Sequence, residues 1–186
     1  MTALKKSGKR YNYNNIPPNL LLNYISFKAG DNFENLLKEM FQNKAKIKKS
    51  VFFFRNYSQK DYGILDNMFF ATRHDYLRIA KAMLDDWQND TCVGKYLKTI
   101  YEHRISKRGF NAARDRGDSF HSTKSYAGFF HTDYLGMKNR KVMGMSGYGG
   151  NEIIIDFERS RILVIHSIHQ NYNWKKIAHS VIKKGK

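Results

Sequence analysis

Apolar positions recur at helical spacing through the first two thirds of the chain and in short β-branched runs through the last third. Leu20 to Ile25 is an apolar run just after Pro17-Pro18, which predicts a buried helix begun at the prolines. Gly30 closes it. Phe33, Leu36, Leu37, Met40 and Phe41 follow at i, i+3, i+4, i+7, i+8, a second helix that Asp31 or Asn32 can cap. Val51 to Phe54 is short and apolar, and Tyr57 to Asn67 shows no period. Thr72 then caps a helix whose apolar side is Tyr76, Leu77, Ile79, Ala80, Met83, Leu84 and Trp87, and Asn89-Asp90 stops it. A shorter helix is predicted near Val93 to His103, and Arg104 to Ser125 reads as a polar surface connection.

Beyond it the period changes. Tyr126 to His131 reads as a strand, and Val142 to Ile168 as a β-hairpin built on Ile153 to Ile155 and Ile162 to Ile165. Gly144, Gly147, Gly149 and Gly150 stand before the first of those runs. Glycines cost backbone entropy, so the stretch needs either positive φ or a close backbone approach. A glycine-rich turn feeding a sheet is one reading; a strand edge offering N–H groups to a bound acyl group is the other. Trp174 to Ile182 ends the pattern as an amphipathic helix meeting the sheet through Trp174, Ile177 and Val181. Helices first and an antiparallel sheet with a C-terminal helix last predicts an α+β fold. Residues 1–186 are expected to form a single partial domain, mainly helical over 1–125, with the antiparallel strands and terminal helix over 126–186.

Composition narrows the function classes. A hydrophobic fraction of 41% and an aromatic fraction of 15% suffice for a packed core. No apolar run approaches a membrane span, so no membrane partner is expected. The single Cys92 excludes an intramolecular disulfide and a multi-cysteine metal site. Net charge is +17, which bears on association and not on fold. The basic residues are scattered, with local clusters only at Lys5-Lys6, Lys44 to Lys49, Lys107-Arg108 and Lys183-Lys184, and no zinc-finger or RNA-binding signature accompanies them. Nucleic acid is therefore not the expected partner. His166 and His169 lie three apart on a strand reading and point to opposite faces, so with His131 they make ordinary histidines rather than a metal site.

Several stretches taken together resemble the serine β-lactamase and penicillin-binding-protein-like hydrolases. Tyr11-Asn-Tyr-Asn-Asn15, the Leu-rich run and Ala29-Gly-Asp-Asn-Phe33 resemble the family's aromatic-x-Tyr-Ser-Asn motif with its following helix. Met68 to Ile79 resembles its Ala-Thr-Ala-x-Asp helix start. Gly147-Tyr-Gly-Gly-Asn-Glu-Ile-Ile-Ile-Asp156 with Phe157-Glu158 resembles its final sheet, written Gly-x-Gly-Gln, a strand and Pro-Glu. The subgroup most like it is the class C-like esterases and 6-aminohexanoate-dimer hydrolases.

The resemblance implies an incomplete β-lactamase-like fold and a serine acyl hydrolase acting on a small ester or amide without metal or cofactor. In that family a Ser-x-x-Lys serine attacks, a Lys and a Tyr move the proton, and strand N–H groups hold the oxyanion. By the resemblance Tyr13 matches the proton-shuttling Tyr, and Asn15 the Asn that orients substrate and Lys. Met145-Ser146-Gly147 stands where relatives carry Lys-Thr-Gly or His-x-Gly. Gly147, Tyr148, Gly149, Gly150 and Asn151 would then bind the oxyanion and substrate, with the Tyr148 N–H as donor; a shift of three residues would instead use Gly144 and Met145. No Ser-x-x-Lys precedes Tyr13, and Ser180-Val-Ile-Lys183 matches only by letters. The expectation is a C-terminal portion of such an enzyme, inactive alone, whose partner is an N-terminal half carrying Ser-x-x-Lys. The alternative, of a different class, is a non-catalytic basic binding module, nucleic-acid binding included.

Overall fold

Two capping residues, Thr72 and Thr91, open two of the helices. The computed structural model describes residues 11, 16–48, 52–57, 65–107, 123–137, 139–147, 150–167 and 172–185. The chain divides into two compact units, residues 13–82 in one and residues 1–12 with 83–186 in the other; each is described by itself.

In the unit of residues 13–82, helix α1 spans Ile16–Ala29. Both prolines fall in its first turn, where a missing N–H costs nothing because that donor has no intrahelical acceptor. Gly30 (φ +51°) breaks it. The predicted burial is wrong: Leu20 is 64% exposed and Phe27 81%, and Leu21 and Tyr24 face solvent as well. Apolar residues cover a wide arc of the helix, with only Asn19, Asn23 and Ser26 making a polar stripe, so periodicity could not say which part of the arc is buried. Helix α2, Phe33–Leu37, continues as a π-helical segment, Lys38–Lys44. Neither Asp31 nor Asn32 caps it, because both lie in a 3-10 turn with no side-chain cap bond. Lys44, Lys46 and Lys48 are exposed around buried Ala45 and Ile47. Strands β1 (Phe52–Tyr57) and β2 (Leu65–Phe70) pair antiparallel from Phe52↔Phe70 to Tyr57↔Leu65, so the aperiodic stretch is strand at both ends.

Helix α3, Arg73–Gln88, begins as expected. The Thr72 hydroxyl accepts from the Asp75 N–H and donates to the Asp75 carboxylate at 2.6 Å, a reciprocal cap. Asp75 is a cap and also pairs with Arg78 at 3.0 Å. Hydrogen bonds from Thr72 and Arg78 outweigh its desolvation and hold the carboxyl below its usual range. Leu77, predicted on the apolar side, is 43% exposed.

In the other unit, Thr91 caps helix α4, Cys92–Glu102, by accepting from the Gly94 N–H. Gly94 lies so close to the Asp86 carbonyl that a Cβ would overlap it. Cys92 is a free, exposed thiol. The main sheet has six antiparallel strands in sequence order: β3 (Ile105–Ser106), β4 (Thr123–Ala127), β5 (Phe130–Tyr134), β6 (Val142–Gly147), β7 (Asn151–Asp156) and β8 (Arg161–Ile165). The chain is α+β.

Three expectations change here. Tyr126 to His131 is not one strand but a tight hairpin, with Gly128 and Phe129 both at positive φ between β4 and β5. The glycine-rich stretch is not simply a turn: Gly144 and Gly147 belong to β6, which pairs with β5 and β7. The span read as a connection from Arg104 supplies β3 at its start and β4 at its end.

The hairpin of β7 and β8 pairs Ile153 with Val164 and Ile154 with Leu163. Helix α5, Trp174–Ala178, continues as a π-helical segment, His179–Lys184. Trp174, Ala178 and Ile182 form a core with Val142, Ile154 and Leu163. Each large side chain so buried stabilises the fold by roughly 1.5–3 kcal/mol. The inward stripe is thus i, i+4, i+8 from Trp174; Val181 packs partly against it, and Ile177 is 41% exposed. Arg140 and Arg161 hold the helix end by donating to the Ile182 carbonyl, and Arg140 also pairs with fully buried Asp156.

Candidate functional site

One face of the main sheet carries a line of polar side chains leading to the glycine-rich loop. Directly opposite residues in an antiparallel pair share a face. His131 stands opposite Gly144, and Ser146 opposite Glu152. Gly144 and Ser146 share a face by alternation. Tyr134 joins them although it lies three residues from His131, because Asp133 at φ +54° breaks the alternation of β5. The Tyr134 hydroxyl rests on Gly144, in the space a Cβ would occupy. That contact answers the question the glycines raised at this position: the requirement is close approach. Gly150, at φ +83°, is the positive-φ case.

At the β3 side lie Lys107, Thr123 and His131, all buried. Lys107 Nζ donates to Thr123 Oγ1 at 2.5 Å and lies 3.4 Å from His131 Nδ1; Thr123 Oγ1 is 3.3 Å from the same nitrogen. Burial, then the Lys107 cation, push the His131 imidazole down to about 3. It is therefore neutral, and accepting at Nδ1 it carries its proton on Nε2. The Tyr126 ring packs edge-on against His131 at 5.0 Å, and the Tyr11 ring against Tyr126 at 5.0 Å. Tyr11, the first residue of the Tyr-x-Tyr motif, is thereby buried against the sheet. Because none of the three polar residues is open to solvent, this cluster can hold geometry rather than meet a substrate.

At the other end, Ser146 donates to the Glu152 carboxylate at 2.7 Å. Glu152 is 4% exposed. Tyr172 donates to the Gly150 carbonyl at 2.5 Å, and the Ser167 N–H to the Asn151 side-chain oxygen at 3.0 Å. Both bonds tie the connection between β6 and β7 to segments following β8. Desolvation, then the Glu152 charge, raise the Tyr172 phenol to about 12 and hold that of fully buried Tyr134 well above its usual value. The Tyr134 hydroxyl has no hydrogen-bond partner among the described residues.

Of the residues singled out in the sequence, Gly147 ends β6, Gly150 occupies the turn and Asn151 begins β7. Gly147 is exposed. Tyr13, Asn15, Tyr148, Gly149 and His169 lie outside the described residues. Among the described residues no group of three His, Cys, Asp or Glu could hold a metal ion, and no helix is long and apolar enough to cross a membrane.

Sequence reasoning gave no site role to Lys107, Thr123, Tyr134, Ser146 or Glu152. Only Glu152 left a signal, a carboxylate opening an otherwise apolar strand. The others depend on cross-strand register, which periodicity does not carry. No family model, curated protein or solved structure matches the chain.

Proposed function

We propose that these residues are the C-terminal portion of a β-lactamase-related serine hydrolase, cleaving an ester or amide through an acyl-enzyme. The nucleophile would come from a Ser-x-x-Lys segment outside them. The observation that carries this reading is the seat of Tyr11. It belongs to the motif at the start of the chain, yet packs on Tyr126 and through it on His131. His131 stands opposite Gly144 of β6, the strand that ends at Gly147. Tyr11, from one of the stretches that resemble the family, thus packs on the sheet that carries the other, more than 130 residues away in sequence.

In this reading Tyr13, two residues from the anchor, moves the proton, and Asn15 orients the substrate. Gly147, Tyr148, Gly149, Gly150 and Asn151 form the edge that holds the oxyanion, because backbone N–H groups already in place stabilise developing charge without reorganisation. No cofactor is required by such chemistry.

The purified chain should show no burst with p-nitrophenyl esters and no covalent labelling by fluorophosphonate or penicillin probes. Removing the serine from such a site typically costs on the order of a millionfold in turnover. Adding a polypeptide that carries a Ser-x-x-Lys half from a class C-like esterase should restore labelling on that polypeptide. Stoichiometric labelling of the chain alone, mapped to one of its own serines, Ser180 included, would overturn the reading.

A further inference from the structure

Between the last turns of α4 and the strands β3 and β4 lies a cavity of about 390 Å³, within the usual size of a small-molecule site. Its walls are apolar: Ile100 from the helix, Ile105 from β3, and the Tyr126 ring and Ala127 from β4. Ile105 stands directly opposite Tyr126, so the two share one face of the sheet. Gly128 closes one end. Held at φ +51°, it brings the turn between β4 and β5 so near the helix that a Cβ there would meet Ile100 at 2.8 Å. The Tyr126 wall is set in advance, because its ring packs against those of Tyr11 and His131, each at 5.0 Å. An apolar cavity of about 150 Å³ takes one benzene ring, so this one has room for two fused rings.

The polar groups of the lining decide what such rings must carry. Apart from the Tyr126 phenol, the polar side chains are those of Thr99 and His103. The Thr99 hydroxyl donates to the Lys95 carbonyl at 2.9 Å, so toward anything else it can only accept. His103 Nδ1 lies 2.9 Å from the Thr99 carbonyl, an atom that cannot donate. Nδ1 therefore carries the proton, and Nε2 of the neutral ring is an acceptor. Among the described residues no Lys or Arg lines the cavity. Arg104, next to His103 in sequence, is taken up by Asp133 at 3.0 Å and by the Tyr101 carbonyl at 2.9 Å.

We propose that this cavity is a binding site for a neutral, planar aromatic molecule of one or two rings that bears an N–H or O–H donor, the indole or phenol class. Ile100, Ile105, Ala127 and the Tyr126 ring cover its rings, and His103 Nε2 or Thr99 Oγ1 receives its hydrogen bond. A carboxylate is disfavoured there, because it would meet two acceptors and no cation. That order runs against the molecule as a whole, whose net charge of +17 attracts anions. The site shares no residue with the proposed oxyanion edge, and its assignment does not rest on the hydrolase reading.

The test is a titration of the isotope-labelled full chain at about pH 8, where an ordinary imidazole is neutral, followed at the amides of Ile100, His103, Ile105 and Ala127. The probes are indole, 1-methylindole and sodium indole-3-carboxylate at equal ionic strength. Indole should shift these amides saturably. It should bind at least about threefold more tightly than 1-methylindole, which has the same rings and no donor, a fold-change within reach of one ordinary hydrogen bond. The carboxylate should bind no more tightly than indole. Ala127→Leu, which fills the cavity, should abolish the saturable shift. Thr99→Val combined with His103→Phe should leave indole bound and bring the two neutral indoles to within about twofold of each other. No saturable shift with indole, equal or tighter binding of 1-methylindole, or tighter binding of the carboxylate would each overturn the proposal. So would undiminished binding in Ala127→Leu, or an unchanged preference in the double variant. Should a variant fail to fold, the three probes on the natural chain decide alone. Failure of the hydrolase reading would appear in the reconstitution experiment and leave this order of binding intact.

Discussion

The Tyr134 hydroxyl lies against the α-carbon of Gly144, one strand away, where any side chain would displace it. The hydroxyl is buried and unpartnered among the described residues, and the Ile153 carbonyl closes the other side at 3.0 Å from a would-be Cβ. Gly144→Ala should therefore destabilise the chain by about 1–3 kcal/mol, the usual range for overpacking. Tyr134→Phe, which removes an unsatisfied hydroxyl, should be neutral or stabilising by up to about 1 kcal/mol. In the double variant the alanine should cost at least about 1 kcal/mol less than alone, as read from urea denaturation. Strict additivity would show that the two groups do not share the space.

Burial of His131 predicts a pH dependence with a definite sign. Folded, the imidazole stays neutral down to about 3; unfolded, it protonates near its ordinary 6.5. Between those values the unfolded chain binds the extra proton, so stability is fully present above 6.5 and is lost as pH falls toward 3. The slope attributable to this one group approaches about 1.4 kcal/mol per pH unit within that window. His131→Gln should flatten the stability curve between pH 6 and 4 relative to the natural chain. Parallel curves, or an imidazole titrating near 6.5 by NMR in the folded protein, would contradict the buried neutral state.

The terminal helix offers a paired test of which stripe faces the sheet. Ile182 is fully buried, and Ile177 is 41% exposed. Ile182→Ala should cost about 2–5 kcal/mol, as truncations in a packed core do. Ile177→Ser should change stability by no more than about 0.5 kcal/mol. The reverse order would mean that the helix is rotated about its axis.

Gly94 is the point of closest approach between α4 and the end of α3. A methyl there meets the Asp86 carbonyl and comes within 3.0 Å of the Trp87 nitrogen, backbone atoms that cannot move aside as a side chain can. Gly94→Ala should lower stability by at least about 2 kcal/mol despite alanine's better helix propensity of about 1 kcal/mol. A gain in Tm would show that the two helices separate without cost.

Sequence by itself determined the features that local chemistry decides. The Thr72 cap, the stop at Asn89-Asp90, the shorter helix near Val93 to His103 and the β-branched runs of β7 and β8 are each written in a few adjacent residues. Helix-first, sheet-last order was legible for the same reason. Tertiary structure alone decided what depends on partners distant in the chain. Leu20 and Phe27 look like core but are exposed, because apolar residues over a wide arc of a helix do not specify which part of it is buried. Gly144 looks like a turn residue but sits in a strand, because the demand for glycine comes from Tyr134 ten residues away. Lys107, Thr123 and His131 meet only through the pairing of β4 with β3 and β5. Glu152 meets the Ser146 hydroxyl only because it stands opposite it across β6 and β7. Alternation tells which residues share a strand face, but only pairing across strands tells which of them touch, and contact is what shifts a pKa or builds a site.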